Sequence, residues 1–558
     1  PLTGGAAAIT AGQDALDRGA FAEALAIFVN ETRRAPNSVD AWFGCAAANY
    51  GIGDFHHALA AAERCVQLAP NDQRGFYVLA PPAFALKDAQ GIDICRTFMG
   101  RLTPGAGESL ARFWSERLSE KELFSAAADA FEIYAAYHPV DEKASPELAN
   151  LYINASEIDK AEAVIDRCEK RIGKVGAFQF IRARIAIMRG DIDAAKRSAL
   201  HAIDNNDRPV PAYFILSDIA PELIDANKAA RLEKILGDEG LHPDLKIGGL
   251  FALGRSHHSR DEFDRAFNCF AAAKSLSKEF ATAAGIIYDR QVAEASAQRI
   301  AARYPAASPT NLQDSGAPRK IFIIGMPRSG STLVDQILSR HNLVASLGES
   351  TIMPTISNSI ERRSRESGRP FRACTAEMRE QFHAAYRQAA GSAPRIIDKN
   401  LFNFECCGLI ADLDPNACFI LTKREPADIA LSIFKTKFLA AHPWSNELRD
   451  IAHKQASFEF LVSHWRKMLG ERIHIVNHEE LVANFEPGVR ALLEFCGLDF
   501  EEQCLDFHKG DRQVFTTSAA QVRRPINADG VGRWKRYEQH LAPYFESLEE
   551  FRRRYALI

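Results

Sequence analysis

Along the first half of the chain, apolar and small residues return at a fixed distance. Gly19, Phe21, Ala24, Leu25, Pro36 and Asn37 recur 34 residues later as Gly53, Phe55, Ala58, Leu59, Pro70 and Asn71. Pro104 continues the Pro36, Pro70 series, and Phe124, Ala127 and Pro139 keep the spacing of Phe21, Ala24 and Pro36. Ile158 and Ala161 recur as Ile192 and Ala195, and Phe263 with Ala266 marks a late copy. A period of this length predicts a helix–turn–helix unit that buries its apolar face only by stacking on its neighbours. Small residues such as Ala24 and Ala58 let two helices approach. Gly19 and Gly53 should end the first helix of a unit, and Pro36 and Pro70 the second.

The pattern changes at Arg303. Residues 303–320, RYPAASPTNLQDSGAPRK, are rich in Pro, Ala, Ser and Gly and read as a linker. Beyond it, the short apolar runs 321–324, 417–421 and 473–476 read as buried strands, and 333–338 has helical spacing. The expected organisation is a helical repeat array over 1–302, a linker over 303–320, and an α/β domain over 321–558.

Composition narrows the classes. With 47% hydrophobic and 25% charged residues among 558, wholesale disorder is excluded. The 68 Lys+Arg against 72 Asp+Glu argue against a surface that grips nucleic acid throughout, while leaving a local basic site open. No apolar run approaches the ~20 residues of a transmembrane helix. The 11 cysteines form no C-x-x-C pair, so they read as reduced thiols of a cytoplasmic protein rather than as disulfides or a zinc site. Pro1 rather than Met stands first, which leaves a preceding targeting segment open.

The 34-residue unit resembles the tetratricopeptide repeat, which implies a concave surface for a protein or peptide partner. The alternative is that the array scaffolds or dimerises the other half.

The strongest chemical signal follows the first strand. Residues 321–324 run into Gly325-Met326-Pro327-Arg328-Ser329-Gly330-Ser331-Thr332 and then a helix. Strand, glycine loop and helix together aim backbone N–H groups and a helix N-terminus at an anion. The G-x-x-x-x-G spacing is that of the nucleotide-triphosphate P-loop, but Ser331 stands where that loop has Lys, and the charge comes from Arg328. An NTPase or kinase is therefore an alternative rather than the leading reading. The loop resembles the 5′-phosphosulfate loop of the sulfotransferases. The likeness is to the protein-tyrosine sulfotransferases and to bacterial sulfotransferases with tetratricopeptide repeats. These enzymes use 3′-phosphoadenosine 5′-phosphosulfate (PAPS), giving the product PAP. The resemblance implies that Pro327, Arg328, Ser329, Gly330, Ser331 and Thr332 bind the donor's phosphosulfate.

A second signature fits the same family. Its 3′-phosphate site has an Arg at a strand end and a Ser eight positions later, matched here by Arg424 and Ser432. Arg offers a planar fork to phosphate oxygens and Ser a hydroxyl donor. His478 stands where the family has a Tyr near the nucleotide, and Phe495-Cys496-Gly497-Leu498 resembles its Phe-x-Gly-Leu helix end. Arg524, in Gln521–Asn527, stands where the tyrosine enzymes have a Lys that reaches the donor.

Sulfuryl transfer needs a base for the acceptor proton and cations for the leaving phosphate. Glu349, in Leu347-Gly348-Glu349-Ser350, resembles the base in the Gly-Glu-Glu-Thr segment of the tyrosine enzymes. Ser350 replaces the second Glu, which helps hold their peptide substrate. Lys399 matches a Lys that approaches the bridging oxygen, the alternative being a pair with Asp398. Ser518 would donate to the sulfuryl or phosphate group. No metal is required, since Arg and Lys take the place of Mg²⁺. The expected fold is an all-α tetratricopeptide solenoid followed by a P-loop-like parallel-sheet α/β sulfotransferase domain. The expected activity is PAPS-dependent sulfuryl transfer to a hydroxyl of a protein tyrosine, a carbohydrate or a small alcohol. The alternative of another class is a protein-binding scaffold whose C-terminal domain has lost its chemistry.

Overall fold

The computed structural model describes residues 3–70, 72–86, 88–99, 104–120, 123–137, 144–173, 176–206, 209–305, 319–367, 375–438, 442–509 and 525–557. The chain divides into two compact units, Pro1–Ala186 with Asp193–Arg208, and Ile187–Ile192 with Pro209–Ile558.

The first unit is helical, its helices following one another in pairs such as Thr3–Asp17 with Phe21–Arg34 and Val39–Ile52 with Phe55–Leu68. The repeat positions fall where the period puts them. Phe21, Phe55, Phe124, Ile158 and Ile192 each open the second helix of a pair, and Phe263 does the same in the second unit. The alanine three residues later, Ala24, Ala58, Ala127, Ala161, Ala195 and Ala266, is 0% exposed in every copy. This side chain is conspicuously small because the first helix of the pair lies against it. Gly19 and Gly53 follow the first helices, while Pro36 and Pro70 follow the second. Pro104 departs from that series. It opens the helix Pro104–Glu120 instead of closing one, a position whose N–H has no partner within the helix. Pro139 lies outside the described residues.

The second unit begins with five helices, Pro209–Ile219, Ala226–Leu236, Pro243–Ser259, Phe263–Ala283 and Arg290–Arg303. A parallel five-stranded sheet follows: β1 (Arg319–Gly325), β2 (Val344–Ser346), β3 (Arg395–Asp398), β4 (Cys418–Lys423) and β5 (Ile473–Asn477), in the order β2-β3-β1-β4-β5. β1 pairs with β3 through Phe322↔Asp398 and with β4 through Ile324↔Leu421 and Gly325↔Thr422. Alternate residues serve two cores. Phe322, Ile324, Phe419 and Leu421 face one, together with Phe251, Phe270 and Ala273 of the preceding helices. Ile321, Ile323, Cys418 and Ile420 face the other, with Val334, Ile337, Val489 and Leu492.

The helices before the compositional break therefore share a core with the sheet after it. Phe267 stacks on Phe434 with ring centroids 5.2 Å apart, and Tyr304 meets Trp465 edge-on at 5.7 Å. Lys274, 1% exposed, donates from Nζ to the Thr436 carbonyl at 2.9 Å and so neutralises the end of the helix Pro426–Phe434. Gly254 marks a close approach between two of these helices. A Cβ there would collide with the ring of Phe270, which is 0% exposed and has nowhere to go. Gly254→Ala is expected to destabilise by about 1–3 kcal/mol through overpacking, read as a lower denaturant midpoint of the full chain.

The described cysteines are all free, and only Cys269 and Cys406 among them are less than fully buried. No helix among the described residues is long and apolar enough to cross a membrane.

Candidate active site

The sheet order changes direction at its centre, since the chain leaves β1 toward β2 on one side and returns to β4 on the other. In parallel α/β sheets the crevice at that switch, outside the carboxyl ends of the strands, is where ligands bind. The loops that leave β1 and β4 both lie there. They open on a cavity of about 720 Å³ whose lining includes Arg328, Gly330, Glu349, Arg424, Ser432 and His478.

The loop after β1 turns on Arg328 and Gly330, which have φ of +72° and +95°. The first is a conformation that a side-chain-bearing residue adopts at a cost of about 1–3 kcal/mol, the kind of strain that collects at ligand clamps. Ser329 is held from below, its hydroxyl 2.6 Å from that of Thr422 on β4. Gly330 then caps the helix Ser331–Ser339, whose first N–H groups have no carbonyl within the helix. Ser331 and Thr332 are buried in that first turn. A Cβ on Gly330 would lie 2.7 Å from His478 Nδ1. Gly330→Ala is thus expected to weaken binding of phosphate-bearing ligands at least tenfold and to cost about 1–3 kcal/mol of stability. Calorimetric titration and a denaturant melt check the two effects.

The cations are tied to this loop. Arg328 donates from Nε to Ser432 Oγ at 2.9 Å, so the helix Pro426–Phe434 presents Ser432 to the loop after β1. Arg424, immediately beyond β4, donates from Nη1 to the Arg328 carbonyl at 3.0 Å and from Nη2 to the Gly530 carbonyl. Burial, with Arg424 and Arg255 nearby, pulls Arg328 down to about 10, still charged at neutral pH. Asp428, 2% exposed, accepts from the backbone N–H groups of Gly532 at 2.7 Å and Trp534 at 2.9 Å. It fixes the segment that carries Gly530 over Arg424.

Glu349 and Lys399 arrive from the other side of β1. Leu347 N–H bonds the Ile397 carbonyl and Lys399 N–H the Gly348 carbonyl, both at 2.8 Å, so the segment after β2 runs on along the end of β3. Lys399 Nζ then meets Glu349 Oε1 at 2.6 Å, with the lysine side chain 2% exposed and the glutamate 58%. Asp398 is not its partner. It turns inward to accept from Tyr386 OH at 2.6 Å, Asn403 Nδ2 at 3.0 Å and Asn400 N–H at 2.9 Å, and burial pushes it up to about 6.

Arg328, Glu349, Arg424 and Ser432, singled out in sequence, thus line the cavity together with Pro327, Gly330, Ser331 and Thr332, and Lys399 is buried behind Glu349. Ser518 and Arg524 lie outside the described residues. Sequence reasoning missed Asp428, whose signal was an acidic residue in the first turn of a helix that follows a strand. It also set aside His478, which lies between Gly330 and Arg424. Burial, and then Arg424, holds that imidazole down at about 4, so it is neutral at physiological pH. No cluster of three His, Cys, Asp or Glu suited to a metal ion occurs among the described residues.

Residues 318–502 match the model of the sulfotransferase family. An uncharacterized protein of Aquifex aeolicus (strain VF5) is 32% identical over 335 residues, covering 57% of this chain and 43% of that protein. Protein-tyrosine sulfotransferase A of Caenorhabditis elegans is 25% identical over 229 residues, 38% of this chain and 60% of the enzyme. The chain spans less than two thirds of the length of either relative. The solved sulfotransferase domain from the curacin biosynthetic pathway aligns at 19% identity with a TM-score of 0.29, over 39% of this chain and 90% of that one. The C-terminal part of this chain, over residues 318–502, carries a domain of the sulfotransferase family.

Proposed function

We propose that the chain transfers a sulfuryl group from PAPS to an acceptor hydroxyl. The observation that carries this reading is that Arg328, Ser432 and Arg424 share one crevice with the Glu349–Lys399 pair, at the carboxyl ends of β1 and β4. A phosphate-bearing nucleotide fits the polar groups present. Arg424 Nε and His478 Nδ1 are buried with no hydrogen-bond partner among the described residues. Buried polar groups in that condition are costly unless something meets them. Residues 327–332 would hold the 5′-phosphosulfate, and Arg424 with Ser432 the 3′-phosphate. Arg524 and Ser518 would add donors.

When bound, PAPS supplies an activated sulfuryl group and a phosphate leaving group. The chain's own part is to position and to handle charge. Glu349 is half-exposed at the cavity, where an acceptor hydroxyl reaches it, and it takes the acceptor's proton. Lys399 Nζ, 2.6 Å from Glu349 Oε1, holds that carboxylate in place at the cavity. Once Glu349 holds the proton, the ammonium loses its counter-charge and is available to charge developing nearby. The helix N-terminus after Gly330 and the guanidinium of Arg328 serve the same end.

The test is direct. The full chain is titrated with PAP by calorimetry, then supplied with radioactive-sulfur PAPS and a cell extract. Submicromolar to micromolar PAP binding, with label transferred to a product identified by mass spectrometry, is the expected result. A chain that binds no PAP would be the protein-binding scaffold instead, and Mg²⁺-dependent ATP turnover would make it an NTPase. The labelled product also assigns the acceptor among protein tyrosine, carbohydrate and small alcohol.

A further inference from the structure

One wall of the crevice does not come from the family domain. Asp218, Glu222, Arg255 and His258, on or beside the helices Pro209–Ile219 and Pro243–Ser259, line the same cavity as Arg328 and Ser432. Arg255 is built into that wall. Its side chain is 16% exposed, its guanidinium lies over the Phe214 ring at 4.7 Å, and Nη1 donates to Ser217 Oγ at 3.2 Å. Asp218 pairs with Nη2 at 3.7 Å but is itself 47% exposed, and so wet a pair offsets little of the charge. Facing it is Lys435, one helical turn beyond Ser432, with its ammonium over the rings of Phe270 and Tyr537 at 5.8 and 5.7 Å. Lys435 forms no ion pair among the described residues. Burial first, and then Arg533, Arg255, Arg328 and Arg536, brings it down to about 7, as expected of a cation crowded by cations.

Of the carboxylates that line the cavity, Asp428 and Glu349 are engaged elsewhere, while Asp218, Glu222 and Asp529 stand against Arg255, Arg328, Arg424, Lys435 and Arg533. Both oxygens of Asp428 are taken by backbone N–H groups, and Glu349 is paired with Lys399. Three cations, Arg255, Arg328 and Lys435, therefore border one partly enclosed space with too little negative charge among them. Such an arrangement is costly until an anion enters it, and a guanidinium held by its own ring stack loses little entropy when one does.

We propose that Arg255 and Lys435 hold a tetrahedral oxyanion, a phosphoryl or sulfuryl group, on the side of the crevice facing Arg328. The helical region thereby supplies a binding residue to the site. This inference rests on the donor reading only for which oxyanion is bound. A donor group and an anionic substituent of the acceptor share the chemistry, and titration separates them.

The full chain is titrated with PAP, with inorganic sulfate alone, and with inorganic sulfate after saturation by PAP. If the oxyanion is one of the donor's phosphates, which PAP keeps, Arg255→Gln and Lys435→Gln each weaken PAP by about tenfold or more, and Arg255→Lys recovers part of the loss. If it is the sulfuryl group, which PAP lacks, or an anionic substituent of the acceptor, PAP binding is unchanged, and the PAP-loaded wild type binds sulfate about tenfold more tightly than either variant. Folded Arg255→Gln and Lys435→Gln chains that match the wild type for all three probes overturn the proposal. If Arg255→Gln does not fold, Lys435→Gln decides alone. A wild type without PAP affinity sinks the donor reading instead. Sulfate alone, bound by the wild type and lost in the variants, then still supports this site.

Discussion

Glu349→Gln lowers sulfuryl transfer by about 10²–10⁴-fold and leaves PAP affinity within a few-fold of the wild type. The magnitude is that of a general base removed from a site whose positioning groups stay in place. Gln is the informative choice because of Lys399. That lysine is 2% exposed and meets Glu349 at 2.6 Å, so an alanine would strip a buried ammonium of its partner as well as removing the base. The Gln side-chain carbonyl still accepts from Nζ but takes no proton, so the loss is confined to the chemical step. Single-turnover rates with radioactive-sulfur PAPS, beside calorimetric PAP binding, separate the two. A collapse of PAP affinity would make Glu349 a structural partner of Lys399. An unchanged rate would move the base elsewhere, with His442, close enough to feel the Glu349 charge and kept mainly neutral by burial, the next group to test.

The repeat was legible because its two demands are local. A bulky apolar residue opens each second helix and an alanine follows three residues later, so Ala24, Ala58 and Ala195 announce the packing without any tertiary knowledge. β1, β4 and β5 were legible as apolar runs, whereas β2 was not. Val344–Ser346 is three residues long and half-buried, and its pairing with Arg395–Ile397 is set by the neighbouring strand rather than by its own pattern. Composition marked 303–320 but could not mark where packing changes. The apolar face of Phe263–Ala283 reads as one more repeat face, yet Phe270 and Ala273 share a core with β1 and β4.

The candidate site divides along the same line. Arg328, Glu349, Lys399, Arg424 and Ser432 sit at fixed distances from strand ends, so motif spacing finds them. Arg255 lies 73 residues before Arg328 on a helix with no motif of its own, and only folding brings it to the crevice. His478 stands where the family has a Tyr near the nucleotide, and what the position supplies is an imidazole buried between Gly330 and Arg424.

Arg424→Ala weakens PAP by about a hundredfold or more but leaves adenosine 5′-phosphosulfate, which has no 3′-phosphate, within a few-fold. A buried charge-assisted contact to phosphate is worth roughly 2–5 kcal/mol when one partner is truncated, which is the source of that figure. Two of the guanidinium nitrogens already hold the Arg328 and Gly530 carbonyls, and these bonds orient the fork. Nε remains without a partner among the described residues. The same two bonds create the rival explanation, that Arg424 merely organises the phosphate loop. The paired ligands resolve it, because a disordered loop weakens the 5′-phosphate contacts that both nucleotides make. Arg424→Lys sharpens the comparison further. It restores the charge without the planar fork, so PAP affinity should return only part of the way, by about tenfold, if two phosphate oxygens are read together. Full recovery by Lys would show that position 424 supplies charge alone and that the 3′-phosphate is gripped elsewhere.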